Sequence, residues 1–308
     1  MSDARFDALL FGTTSYVLPA GLLPNVRLLA PYVDDIELIL FEGEASNLPS
    51  RADVRDIGLM GADSACGFTV HLPLDVGIGE DDRDLRRRAQ ETCLRVVDLT
   101  LGLEPHAFVV HPELPLRYHP AFGERPESLH ELPAEVHTQW QEALGESLAR
   151  LRRETGEFPL AVENLQFPYE WVDDLLDTHD LGVTLDVGHL LMHGGDVEEH
   201  LERFGRRLSV VHLHGIVDGV DHREIGAFPP EELEHILDAV AAAHTDRPVA
   251  GRRSPGRVVV SMEVFGWKPT VSSLRTLADV LGEGRGDLFR QAAEAVVDEL
   301  PRWKTGEV

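Results

Sequence analysis

The chain has 308 residues, 43% of them hydrophobic, with 28 Lys+Arg against 54 Asp+Glu for a formal net charge of −26. A field of that sign repels phosphate backbones and acidic lipids, so neither nucleic acid nor an anionic membrane surface is expected as a partner. No stretch approaches the ~18 uninterrupted apolar residues of a membrane span. The segment MSDARFDALLFG carries no basic leader, and Cys66 and Cys93 form no CxxC pair, so a cytoplasmic protein with reduced thiols is expected.

Taken in chain order, short β-branched runs alternate with helical stretches. The runs are ALLFGTTSY, DIELILFE, GFTVHLP, AFVVHPE, PLAVENLQ, LGVTLDVGH, LSVVHLHG and VVVSMEVFG. Each has the length and flanking turn residues of a buried strand. The segments between them, such as DDRDLRRRAQETCLRVVDLTLGL, have helical character. Eight strand-then-helix units predict a (β/α)₈ TIM barrel, with residues 1–308 as a single domain and the barrel core over about 8–300. The basic cluster RDLRRR (Arg83 to Arg88) reads as the solvated face of a helix. The longest irregular stretch, Glu113 to Pro133, has the length of a functional lid or of an ordinary surface excursion.

Active sites of such barrels lie at the C-terminal ends of the strands. In order, the runs end in Glu42, His71, His111, Glu163 with Asn164, Asp186 with His189, His212 with His214, and Glu263, and the loop after the seventh adds Asp221 and His222. Any one of these has an ordinary reading as a capped, paired or hydrogen-bonded residue. Together they converge on one mouth, where partly buried charges cost several kcal/mol each unless paired or metal-bound. Histidines outside the strand ends (His106, His137, His179, His200, His235 and His244 among them) are expected at the surface. Imidazole with carboxylate and no thiolate suits zinc, manganese or iron. Glu163, Asp186, His212 and Glu263 would hold one ion. His71 and His111 would serve a second with Glu163 bridging, and His189 and His222, with or without Asp221, a third.

In their order along the chain, these residues resemble the xylose isomerase-like barrel superfamily, and within it the endonuclease IV branch. The matching positions are His71, His111, Glu163, the DVGH pair Asp186 and His189, His212, His222 and Glu263. One position departs: the family's aspartate stands two residues before the last histidine, where this chain has Val220, and Asp221 is adjacent instead. The −26 charge is at odds with gripping DNA. The stretch Phe11 to Glu42 (FGTTSYVLPAGLLPNVRLLAPYVDDIELILFE), with HLHGIVDGVDH, is similar to CbiR-type cobamide-remodelling phosphodiesterases. That resemblance implies hydrolysis of the nucleotide-loop phosphodiester of a corrinoid to cobinamide phosphate and an α-riboside, assisted by two or three divalent ions. Glu163, Glu263 and Asp186 would then be catalytic, and His214 a spare ligand, proton donor or substrate contact. Asn164 would donate to a phosphate oxygen. Glu42, Tyr16, Phe41, Tyr118 and Trp267 are candidate substrate contacts. The alternatives are a mononuclear sugar isomerase or epimerase on Glu163, Asp186, His212 and Glu263, and a non-catalytic metal- or corrinoid-binding protein.

Overall fold

The computed structural model describes residues 4–40, 43–44, 46–115, 118, 133–243 and 257–304. Among them, eight parallel strands close into a barrel: β1 (Leu9–Thr14), β2 (Asp35–Ile39), β3 (Gly67–His71), β4 (Phe108–Val110), β5 (Leu160–Glu163), β6 (Gly182–Asp186), β7 (Leu208–Leu213) and β10 (Val258–Met262). Neighbours follow chain order, and β10 pairs with both β7 and β1 to complete the ring. All eight expected runs are strands of this barrel. A two-stranded antiparallel hairpin, β8 (Gly215–Val217) with β9 (Val220–Arg223), rises from the end of β7.

The outer ring comprises α1 (Leu22–Leu29), α2 (Arg51–Ser64), α3 (Arg83–Thr100), α4 (Ala134–Thr155), α5 (Asp173–His179), α6 (Val187–Met192), α7 (Val197–Phe204), α8 (Pro230–Ala243), α9 (Trp267–Leu281) and α10 (Arg285–Lys304). Local chemistry starts several of them. Ser50 and Asp53 form a reciprocal capping box on α2, while Asp82 and Asp196 accept backbone N–H bonds at the starts of α3 and α7. The Arg83–Arg88 face is solvated except at Arg86, which is buried and donates to the Glu80 carbonyl and to Glu146. None of the described helices is long and apolar enough to cross a membrane.

Side chains alternate along each strand with period two, so one set faces the helices and the other the barrel axis. The outward set builds the main core with the helices. The inward set is apolar at the bottom, where Leu10, Ala107, Val109, Ala161, Val210 and Val259 pack together. Two residues further along the strands, the same inward register delivers Glu163 after Ala161 and His212 after Val210. The barrel therefore ends in charge because of where its strands stop. His200, expected at the surface, is buried against Tyr169 and Phe204. The stretches 116–117, 119–132 and 244–256 lie outside the described residues, and with them most of the Glu113–Pro133 stretch and His244.

Candidate metal centre

The barrel strands and their ends, with α6 and the β8–β9 hairpin, place donor atoms in four groups among the described residues, three of which share members. In each group, the donor atoms lie within 4.8 Å of one another: His71, His111 and Glu163; Glu163, Asp186, His212 and Glu263; Glu37, His71 and His212; and His189, His214 and His222. Glu163 belongs to two of them. Its Oε2 is 3.4 Å from His71 Nε2, 3.1 Å from His111 Nε2 and 3.3 Å from His212 Nδ1. Glu263 Oε2 lies 3.1 Å from the same His212 nitrogen. His189 Nδ1 is 3.3 Å from Asp186 Oδ2 and 3.6 Å from Glu163 Oε1.

A second partner fixes how several of these rings present themselves. A carbonyl or carboxylate can only accept, so a ring nitrogen that hydrogen-bonds one carries a proton, and the opposite nitrogen is the one that would offer a lone pair to a bound ion. His71 Nδ1 donates to the Leu72 carbonyl (2.9 Å) and His111 Nδ1 to Glu113 (3.2 Å), which turns Nε2 of both toward Glu163. His212 is reversed: Nε2 donates to Glu37 Oε1 at 3.0 Å and Nδ1 faces the carboxylates. His222 Nδ1 donates to the Glu263 carbonyl at 3.2 Å. Such outer partners orient metal-binding histidines and raise their basicity.

Both oxygens of Glu163, His111 Nε2, His189 Nδ1, His212 Nδ1 and Glu263 Oε2 are buried and make no hydrogen bond of proper geometry. Buried polar atoms in proteins are almost always satisfied, so this concentration at one place requires a cause. Nitrogen and carboxylate donors converging at these spacings fit divalent ions such as zinc, manganese or iron. In the ion-free chain the charges compensate one another. Burial alone would push His111 down, but Glu163 and Glu113 hold it up at about 10. His189 is likewise held at about 9 against burial by Glu163 and Asp186. Burial disfavours the Asp186 carboxylate, yet His214 and His189 bring it down to about 2, and His111 and His212 hold Glu163 well below its ordinary range.

A sequence profile described as the xylose isomerase-like TIM barrel matches residues 37–276. The chain belongs to this family. Among solved structures, a D-tagatose 3-epimerase-like protein superposes with a TM-score of 0.61 at 18% identity, covering 94% of this chain and 99% of that one. Endonuclease IV from Thermus thermophilus gives 0.56 at 18% identity, with 94% and 99% covered. The IolI protein, solved with a binding zinc atom, gives 0.60 at 13% identity, with 96% and 99% covered. At such identities the likeness is one of fold. No curated protein matches the chain.

Within this xylose isomerase-like barrel, the sequence-derived candidates fall into distinct positions. His71, His111, Glu163, Asp186, His212 and Glu263 form the inner cluster, and His189 and His222 border it. Asp221 belongs to none of the donor groups; it is half-buried on the hairpin with Oδ2 3.6 Å from His189 Nε2. Asn164 has a task other than the expected substrate contact. Its Oδ1 receives the Asp186 N–H (2.7 Å) and its Nδ2 donates to the Asp186 carbonyl (2.9 Å), so the side chain is tied to the β6 end with one amide N–H beyond these bonds. His214 is also not a spare group, since Nε2 lies 3.1 Å from both Asp186 oxygens and Nδ1 receives the His222 N–H at 2.9 Å. The adjacent carboxylate raises the His214 ring despite burial, whereas the incoming N–H requires a lone pair at Nδ1. The 2.9 Å amide contact decides for the neutral ring, because a protonated Nδ1 would face another N–H.

Tyr16 is 58% exposed at the mouth and meets Phe265 edge-on, and Phe265 packs against His222. Trp267 opens α9, half-buried against the core with Lys268 over its ring, and Tyr118 packs partly buried against the same core. Phe41 and Glu42 lie outside the described residues. Sequence reading missed Glu37, which is fully buried in β2 and supports His212. Its signal in the sequence is an acid between Ile36 and Leu38 within an apolar run, short of the strand's end.

Proposed function

We propose that the chain is a metal-dependent phosphodiesterase that hydrolyses the nucleotide-loop phosphodiester of cobamides, giving cobinamide phosphate and an α-riboside. One observation carries the hydrolytic reading: there are more converging donors than a single ion takes. His71 and His111 meet Glu163 on one side of the quartet, and His189 and His222 border it on another. Divalent ions in such a cluster polarise phosphoryl oxygens, activate water and stabilise a leaving oxygen.

The chain's own residues define the rest. Glu163 would hold the inner donor groups together, with Asp186 and Glu263 completing the quartet around it. Glu37, Glu113 and the Leu72 carbonyl keep the His212, His111 and His71 rings aimed inward. Tyr16 and Phe265 offer an aromatic edge at the mouth to a large planar substrate. In the reaction, a water oxygen attaches to phosphorus as the bond to the riboside oxygen breaks, and that oxygen leaves with a proton. The −26 charge favours a small phosphodiester within a corrinoid over a nucleic acid. The cobamide assignment rests on the resemblance of Phe11 to Glu42 and of HLHGIVDGVDH, and it implies a role in cytoplasmic corrinoid salvage.

A second reading has its own support. The quartet Glu163, Asp186, His212 and Glu263 would suffice for one ion and for proton transfer beside a sugar carbonyl, and epimerases share the fold. The discriminating experiment incubates zinc- or manganese-loaded protein with adenosylcobamides and, separately, with ketohexoses. Release of an α-riboside, followed by chromatography and mass spectrometry, supports the phosphodiesterase. Epimerised sugar without cleavage of any phosphodiester would replace it.

A further inference from the structure

We propose that His214 is a positioning residue that ties the His222-bearing hairpin to Asp186, so that the outer histidines and the inner quartet are set in place together. The ring is 0% exposed, and both nitrogens are engaged. Nδ1 accepts the backbone N–H of His222 at 2.9 Å, which places the proton on Nε2, midway between the two Asp186 oxygens at 3.1 Å each. The Gly215 carbonyl is 3.4 Å from Nδ1, too long to compete for that position.

Both ends of this link have constrained geometry. Asp186 also caps α6, its Oδ1 accepting the His189 N–H at 2.6 Å. With Oδ1 held by the backbone, Oδ2 is the oxygen turned to the cluster, 3.3 Å from His189 Nδ1 and 3.9 Å from His212 Nδ1. At the other end, His222 has φ 51, a left-handed conformation that a non-glycine residue keeps only where its surroundings hold it. The hydrogen bond to His214 supplies that hold. Gly188, in the DVGH segment, makes the arrangement possible, because a Cβ there would fall 2.0 Å from His214 Cε1. The sequence elements DVGH and HLHG thus fit one against the other.

This proposal rests on reading the cluster as a metal centre, but half of its test does not. The variants are His214→Gln, which keeps one acceptor and one donor, His214→Leu, which keeps neither, and Gly188→Ala, which crowds the ring. The first readout is hydrogen exchange at the His222 amide in chelator-treated full-length protein. The second is zinc per chain after equilibration with zinc alone. Leu and Ala should both speed the exchange and weaken zinc retention at the outer site by roughly 10–100-fold, and Gln should restore both. Unchanged exchange in Leu and Ala overturns the proposal, as does a Gln variant that behaves like Leu. If Leu does not fold, the comparison of Ala with Gln decides. Wild-type protein that takes up no zinc would defeat the metal reading, while the exchange data would still judge the link.

Discussion

The inner and outer halves of the donor cluster are built in different ways. The inner donors, His71, Glu163, Asp186 and His212, sit on or at the ends of barrel strands and are fully buried, and Glu263 directly follows β10 with almost no exposure. Their positions follow from the period-two register and the closure of the sheet. The outer group depends on a hairpin. His222 reaches the site because Asp218 and Gly219 both adopt positive φ in the turn between β8 and β9, and because His222 itself lies in the left-handed region. Gly219, at φ +74, is there for that turn. Rigid inner donors suit a tightly held ion or pair of ions, and hairpin-borne ones a site whose occupancy depends on local order.

The largest effect that sharpens this contrast is expected from Glu163→Gln. Glu163 is common to two donor groups, so its loss should lower phosphodiester hydrolysis by at least about 10³-fold. The fold should remain, because the side chain makes no hydrogen bond of proper geometry that the core relies on. Circular dichroism with metal content would check both halves of that statement. Near-normal turnover would break the account of the inner half.

Removing bound metal should make stability depend on pH in a particular direction. His111 and His189 are held at about 10 and about 9, above their ordinary 6.5. Groups raised in the folded state stabilise it fully below about 6.5, and that contribution is lost as pH climbs through about 9 to 10. Asp186, held at about 2 against an ordinary 3.8, contributes above 3.8 and loses its contribution as pH falls through about 2. Chelator-treated protein should therefore melt at a lower temperature at about pH 9.5 than at about pH 6.5, and added zinc should reduce the difference. Equal melting temperatures at both pH values would contradict the charge arrangement.

Smaller effects separate the two halves further. Glu37→Leu removes the acceptor that orients His212, and should weaken inner-site zinc affinity about 10–100-fold in equilibrium dialysis, with Glu37→Gln milder. His222→Ala should remove one ion and leave the inner ones in place. Asp221→Ala should change metal content least, since Asp221 belongs to none of the converging donor groups, whereas His222 belongs to one. A larger loss from Asp221→Ala than from His222→Ala would reverse the assignment of the outer half.

These differences also explain what the sequence disclosed. The barrel was legible because eight apolar runs of strand length alternate with helical segments, and a barrel brings strand ends to one mouth whatever its loops do. His71, His111, Glu163, Asp186, His212 and Glu263 were therefore readable from position in their runs. Glu37 was not, because its role depends on a neighbour 175 residues away across the barrel. Asn164 and His214 look like chemical groups in the sequence, and only hydrogen-bond geometry shows them occupied with Asp186 and His222. The outer site was hardest, because a left-handed residue on a hairpin has no periodic signature.

The most direct test of the central claim is metal content per chain of wild-type protein, measured by plasma mass spectrometry beside His71→Ala and His222→Ala. A cluster of overlapping donor groups predicts two or three ions in the wild type and a loss in each variant. A single ion, retained in both variants, would contradict the multinuclear centre and move the assignment to the sugar isomerase reading.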